Sequence, residues 1–265
     1  MIIIGERINS SRDDVLEALR RKDGDYIAGE ARSQEEAGAA YLDLNAGVLM
    51  DREAETLGWA VPLIQRRVNI PLAIDTANPE AMAEGLRLHK GRALLNSLSG
   101  EAARIELFMP LIREHKPRVI VLCLDDDGLP KQSDKEFSIA RRMVELLTAE
   151  GIEPEDIFID PLVRPVGVDQ QAGQLFLESL GKIKTGLPGV KTVAGISNVS
   201  FGLPERHMLN RVFLLLALEM GLDAAILDPL EKGILGAIAS VEALLGRDPG
   251  LARYLAYVRR SRDQA

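Results

Sequence analysis

The sequence predicts one (β/α)8 barrel spanning residues 1–265, and three observations carry that prediction. Short apolar runs alternate with longer amphipathic ones eight times, every short run closes on Asn or Asp, and no linker, low-complexity tract or composition shift divides the chain. Strands separated by helix-length segments require right-handed crossovers and a parallel sheet. Eight such units close into a single domain of about 250 residues. An open doubly wound sheet would instead carry a Gly-rich phosphate turn after its first strand, whereas Ile4 is followed by GERINSS.

The expected strands are MIIIGERIN (1–9), YLDLN (41–45), PLAID (71–75), RALLN (92–96), RVIVLCLD (118–125), IFID (157–160), VKTVAGISN (190–198) and DAAILD (223–228). Helices are expected over 11–22, 25–38, 51–68, 79–89, 101–114, 133–150, 170–184, 204–220 and 230–245, with a last one from 248 to 260. Seventh in this series, the apolar run of Val190, Val193 and Ile196 stops abruptly on Ser197, Asn198 and Ser200. A buried strand that ends on hydroxyls and a carboxamide presents hydrogen-bonding groups to something. Pro204 suits the first turn of the next helix, because its missing N–H costs nothing there. The helices after strands seven and eight are unusually apolar (Leu214–Leu215–Leu216–Ala217–Leu218, and much of 235–241), so either the last helix covers them or they meet a second subunit.

Composition removes several function classes. A net charge of −8 argues against a nucleic-acid backbone as partner, since Lys and Arg must replace counterions there. The one basic cluster, RRSR at 259–262, reads as a solvated tail. The single Cys123 lies inside an apolar run, so it forms no intrachain disulfide and reads as a buried thiol. Met1-Ile-Ile-Ile-Gly-Glu has no basic start and no signal-peptide core. No segment approaches the ~20 apolar residues of a membrane span, so a cytoplasmic location is expected.

In this barrel class the C-terminal strand ends form the catalytic face, which sends the eight Asn/Asp endings to one pocket. Singly, each could equally cap the following helix. His89 and His115 precede strands and fall at the wrong end, so a His-based metal cluster is not expected. Asp43, Asp75, Asp125, Asp160 and Asp228 could converge on Mg²⁺. Lys90 and Lys191 precede their strands, which disfavours Schiff-base chemistry, and no nucleophile elbow is present. A pocket of carboxylates and carboxamides suits a neutral, nitrogen-rich heterocycle: a carboxylate accepts two N–H bonds from an amidine-like edge, and an Asn offers one donor and one acceptor.

The motifs GERIN (5–9), LDLNAG (42–47), IDTAN (74–78), LLNS (94–97), IDPL (159–162) and GISNVSFGLP (195–204) occur in this order, and with them the whole chain resembles the pterin-binding methyltransferases. These pass a methyl group between 5-methyltetrahydrofolate and a corrinoid protein, and the folate module of cobalamin-dependent methionine synthase is among them. The resemblance implies a transient corrinoid-protein partner carrying the cobalamin, tetrahydrofolate as the small-molecule substrate, a homodimer, and no protein-bound metal. By position it implies that Asp75, Asn96 and Asp160 hold the pterin ring and that Asn198 hydrogen-bonds near the methyl-bearing N5. Glu6, Asp43, Asn45 and Ser197 border the pocket, and Arg206 faces the rest of the folate. Two alternatives remain: a dihydropteroate synthase relative, which would carry a Ser-Arg-Lys type motif where this chain has Ser197-Asn198-Val199, and a folate-binding protein without catalysis.

Overall fold

A computed structural model describes the backbone of residues 1–263 and the side-chain environments of residues 1–260. Eight parallel strands close into a barrel in sequence order: β1 (Ile2–Asn9), β2 (Tyr41–Asn45), β3 (Leu72–Asp75), β4 (Leu94–Ser99), β5 (Arg118–Leu122), β6 (Ile157–Asp160), β7 (Lys191–Gly195) and β8 (Ala224–Leu227). Around it lie α1 (Asp13–Arg21), α2 (Gly24–Glu36), α3 (Glu53–Gln65), α4 (Pro79–Leu88), α5 (Ala102–His115), α6 (Ser133–Ala149), α7 (Ala172–Gly186), α8 (Arg206–Glu219), α9 (Ile234–Leu244) and α10 (Ala252–Asp263). The predicted fold class is therefore observed.

Successive strand side chains point to opposite faces, and that alternation builds two layers of core. Outward residues such as Leu42, Leu44, Ile74 and Leu95 pack under the helices in one large cluster. Inward, Ile4, Tyr41, Ala73, Leu94, Ile120, Phe158, Val193 and Ala224 form a separate cluster, one residue from each strand, that plugs the barrel. At the bottom His89 accepts the Leu72 N–H at Nε2 (3.0 Å), and burial lowers its pKa. That histidine is structural.

Local chemistry sets several boundaries differently from the sequence expectation. Pro79 opens α4 behind Asn78, whose side chain accepts the Glu80 N–H (2.9 Å), as a Pro at the first helical position behind an N-cap should. Pro204 does not do the same: Glu205 sits left-handed at φ 50°, and α8 starts only at Arg206. Likewise α9 starts at Ile234, because Asp228 accepts the Leu230 N–H (2.8 Å) and Gly233 turns at φ 85°. Residues Ile196–Ser200, of which 196–198 were expected as the end of the strand, form a 3-10 turn, and a second such turn covers Gly47–Arg52. β4 runs past Asn96 to Ser99 through a register shift against β5. β5 stops at Leu122, three residues short of Asp125.

The apolar helices divide in their fate. α10 covers α9, with the Tyr257 ring so close to Gly236 that a Cβ there would lie 2.5 Å from it. On α8, Met208, Val212 and Leu216 stay 69%, 50% and 50% exposed at four-residue spacing, one uncovered stripe. Arg259 and Arg260 are exposed, and the side chains of Ser261 and Arg262 lie outside the described residues.

Candidate active site

Two residues beyond each plug residue, at the same inward phase, stand Glu6, Asp43, Asp75, Asn96, Leu122, Asp160, Gly195 and Ile226. All eight line one cavity of about 850 Å³ at the C-terminal mouth. The floor is thus acidic and carboxamide-bearing over β1–β4 and β6. Over β5, β7 and β8 it is apolar or bare.

Asp43 and Asp75 form a coupled carboxyl pair. Burial first, and the neighbouring Asp75 charge second, push Asp43 well above the usual carboxylate range. Asp75 is pushed up to about 6 by burial, a rise limited by hydrogen bonds from Asn45 and Asp43. Burial thus favours a proton on the pair rather than two charges side by side. Asn96 donates from Nδ2 to Asp43 Oδ1 (2.9 Å). Asn45 donates from Nδ2 to Asp75 Oδ2 (2.9 Å), while its own Oδ1 accepts from Ser10 Oγ (3.0 Å) and the Gly47 N–H (3.1 Å). Asn45 is absent from the cavity wall; its role is to orient Asp75.

Across the floor, Asp160 accepts the Leu162 N–H (2.8 Å), yet burial raises it to about 7. Glu6 is also raised, by burial ahead of the opposing hydrogen bond from Ser197, whose Oγ lies 3.3 Å from Glu6 Oε2. Burial thus biases these floor carboxyls towards the protonated form.

The turn at Ile196–Ser200 carries Ser197 and Asn198, and Arg206 reaches it from the start of α8. Arg206 donates from Nη2 to the Ser197 carbonyl (2.7 Å) and from Nε to Ser200 Oγ (3.1 Å), and Ser200 Oγ donates to Asn210 Oδ1 (2.6 Å). The turn is thus fastened from α8. Asn198 is exposed, and among the described residues its carboxamide makes no side-chain hydrogen bond. It folds back over Gly195, where an added Cβ would lie 2.9 Å from Asn198 Nδ2. Glycine at the end of β7 leaves room for the carboxamide to lie there.

Eight of the nine residues singled out in the sequence, Asn45 excepted, therefore line the cavity. Asp125 does not join them: it lies beyond β5, paired with Lys135 (2.8 Å), because the strand stops before reaching it. Among the described residues no group of three or more His, Cys, Asp or Glu side chains is arranged to hold a metal ion. Asp228 reaches the rim bound to Arg7 (2.8 Å). Sequence reasoning missed Asn210, which is buried against Ser200 and lines the cavity; a lone carboxamide within an apolar helix was its only signal. Cys123 is buried and its thiol is pushed up by that burial. Among the described residues no helix is long and apolar enough to cross a membrane.

A closed barrel with a carboxyl- and carboxamide-lined mouth defines a heterocycle-binding class, and the chain belongs to the pterin binding enzyme family, whose sequence pattern matches residues 5–228. It is 34% identical over 256 residues to the methylcorrinoid:tetrahydrofolate methyltransferase of Eubacterium limosum, a match covering 96% of this chain and 94% of that protein. Methionine synthase of Mycobacterium tuberculosis is 29% identical over 239 residues, which is 85% of this chain and 20% of that much longer protein. Among solved structures, dihydropteroate synthase from Xanthomonas albilineans in complex with 7,8-dihydropteroate superposes with a TM-score of 0.70 over 92% of each chain at 17% identity. At that identity the likeness is one of fold.

Proposed function

We propose that this chain is a methyltransferase that moves the N5 methyl group between 5-methyltetrahydrofolate and the cobalt of a corrinoid carried by a separate protein. The observation that carries the reading is the pairing of a buried, acidic floor with one free carboxamide, Asn198, at its open edge. Asp75 and Asp160 are suited to accept the N–H groups of a 2-amino-4-oxo pterin, and Asn96 to serve its carbonyl. The near full-length relative in Eubacterium limosum supports the same activity. A dihydropteroate synthase activity is disfavoured, because the turn after β7 reads Ser197-Asn198-Val199 and carries no basic pair.

On this reading the difficult step is the departure of N5. The corrinoid supplies a nucleophilic cobalt whose electron pair forms the new bond to the methyl carbon. As the N5–CH₃ bond breaks, its electron pair stays on nitrogen, which leaves as a neutral amine only if N5 was protonated first. Asn198 accepts a hydrogen bond from that proton at its carboxamide oxygen, an interaction that strengthens as positive charge develops on N5. Burial raises Glu6 and lifts Asp160 to about 7, and Ser197 joins Glu6 to the open edge of the floor, a route by which solvent protons can reach N5.

Mixing the purified protein with 5-methyltetrahydrofolate and Co(I) cobalamin tests the proposal: the absorption spectrum of methylcobalamin should appear at a protein-dependent rate. Tight folate binding with no loss of methyl would leave a binding protein in its place. We also assign the uncovered α8 stripe of Met208, Val212 and Leu216 to a homodimer contact. It lies on the barrel's outer wall, so the mouth stays open for a transient corrinoid-protein contact of modest area. α9, which the sequence suggested as a second half of that contact, is given to α10 instead.

A further inference from the structure

Asp75 and Asn96 are the last residues that face each other across β3 and β4 in regular register. Beyond them the sheet stops supporting the backbone: β3 ends at Asp75, and β4 shifts register against β5 between Leu95 and Leu98. A backbone bond from the Thr76 N–H to the Asn96 carbonyl (3.0 Å) joins the two segments there. The carbonyls of Thr76 and Ala77, just after the first anchor, and of Ser97, just after the second, all accept from one side chain. Arg104, in the first turn of α5, donates from Nη1 to the Ala77 carbonyl (2.6 Å) and from Nη2 to those of Thr76 (3.2 Å) and Ser97 (2.9 Å).

This contact is placed against local preference. A cation in the first turn of a helix opposes the helix dipole, and α5 carries no acidic residue in that turn. Burial lowers the guanidinium's pKa, with Glu101 and Asp75 opposing. Arg104 makes an ion pair with no carboxylate among the described residues. Its guanidinium lies 4.0 Å from the centroid of the buried Phe108 ring, one turn along α5. The three carbonyls and that ring are what hold it. Arg104 is absent from the cavity wall, so its effect on a ligand passes through Asp75 and Asn96.

We infer that Arg104 is a positioning residue for the heterocycle site: by tying the chain just after Asp75 to the chain just after Asn96, it fixes the spacing at which the two side chains meet their ligand. The inference rests on the proposed pterin specificity and adds to it a residue behind the wall. A ring held at once by an acceptor on β3 and a carboxamide on β4 binds tightly only if that spacing exists beforehand, because ordering the two ends on binding costs affinity. The same charge also faces Asp75. Burial raises Asp75 to about 6 against hydrogen bonds from Asn45 and Asp43, while Glu53 on α3 adds to the rise and Arg104 opposes it.

Calorimetry with tetrahydrofolate, single-turnover methyl transfer and an NMR titration of the labelled Asp75 carboxyl in the ligand-free protein test the role together. All binding is compared below every variant's melting midpoint. Arg104→Met keeps an apolar stem over Phe108 and loses the charge and the donors. It should bind tetrahydrofolate at least about tenfold more weakly, while transfer at saturating folate stays within about threefold of wild type, because Arg104 does not reach the reacting atoms. Asp75 should titrate about half a unit or more higher in that variant. Arg104→Lys keeps the charge but has no planar fork to bridge the carbonyls, so it should leave the Asp75 titration near its wild-type position and recover only part of the affinity. Arg113→Met, the same change at the exposed far end of α5, should bind as wild type does. Affinity in Arg104→Met within about twofold of wild type, full affinity in Arg104→Lys, or a loss that Arg113→Met shares would overturn the positioning role and leave the folate reading standing. Failure of wild type to bind tetrahydrofolate would remove the folate reading and this inference with it.

Discussion

Replacing Asp160 by Asn should make the protein more stable and a worse pterin binder. Asp160 is 8% exposed and its carboxyl is raised from the model-compound value of 3.8 to about 7 by burial. In the unfolded chain the same group titrates near ~4. The folded state therefore holds the proton more tightly, and stability is lost as pH rises from the unfolded value through the folded one. Three pH units at ~1.4 kcal/mol each give a penalty of up to about 4 kcal/mol once the group is fully ionised above pH ~7. An Asn of the same shape keeps an acceptor for the Leu162 N–H and never ionises. Its extra N–H₂ faces the cavity, where water reaches it, so about 2–4 kcal/mol of the penalty should be recovered.

The assay is thermal unfolding of wild type and Asp160→Asn across a pH series. For a chain of this length each kcal/mol moves the midpoint by about 2–4 °C, so the variant should melt several degrees higher near pH ~8 and coincide with wild type near pH ~4. The variant's affinity for tetrahydrofolate should fall by at least about tenfold, since a hydrogen bond to a charged acceptor is worth about 1.5–3 kcal/mol. A variant that melts at or below wild type at alkaline pH, or a gap that does not close on acidification, would refute the account of a carboxylate held uncharged in the floor.

Other consequences are direct. Asn198→Ala should lower the rate of methyl transfer by about a hundredfold while changing folate affinity by no more than about threefold; unchanged single-turnover transfer would remove Asn198 from the reaction. Folate affinity should be highest above pH ~7 and fall by about tenfold per unit as acid protonates Asp160 and then Asp75, and calorimetry showing constant affinity down to pH ~5 would contradict the assigned acceptors. Asn45→Ala removes a donor to Asp75, so the Asp75 titration should move up by about a unit or more, a shift readable by NMR of the labelled carboxyl. Charging the α8 stripe with Val212→Glu should turn a dimer into a monomer by light scattering without loss of folate binding; a wild-type monomer at micromolar concentration would end the dimer proposal.

The barrel itself was legible because its signal is redundant: eight apolar runs each repeat the same strand-to-helix change, and an error of three residues at any boundary leaves the count intact. The site was legible through a cruder rule than the one the structure obeys. The last polar residues of the runs mix floor groups, such as Asp75 and Asp160, with rim groups at a helix entry, such as Asn9, which also lines the cavity and accepts the Ser11 N–H (2.9 Å). What decides membership of the floor is the phase relative to the plug. Glu6, Asp43, Asp75, Asn96 and Asp160 each stand two residues after an inward apolar side chain, and period-two reading from Ile4, Tyr41, Ala73, Leu94 and Phe158 would have found all five. Asp125 fails the same rule: it stands an odd number of residues beyond Ile120, and the strand has already ended.

What stayed hidden is what depends on more than one segment. No local pattern announces that Asp43 and Asp75, 32 positions apart in sequence, meet as neighbours in the barrel floor. Nor does any local pattern show that Arg206 is occupied in fastening the turn that carries Asn198. These long-range pairings explain why the Asn198 carboxamide can remain unengaged. Ser197 is tied to Glu6, Ser200 to Asn210, and the Ser197 carbonyl to Arg206. With its neighbours fixed by these bonds, the turn holds its shape while Asn198 keeps both its donor and its acceptor for a ligand. A turn stabilised by Asn198 itself would have to surrender those bonds before engaging N5. On the proposed reading a ligand would meet a carboxamide carried on a fixed turn with its hydrogen-bonding capacity unspent, the arrangement that preorganised stabilisation of developing charge requires.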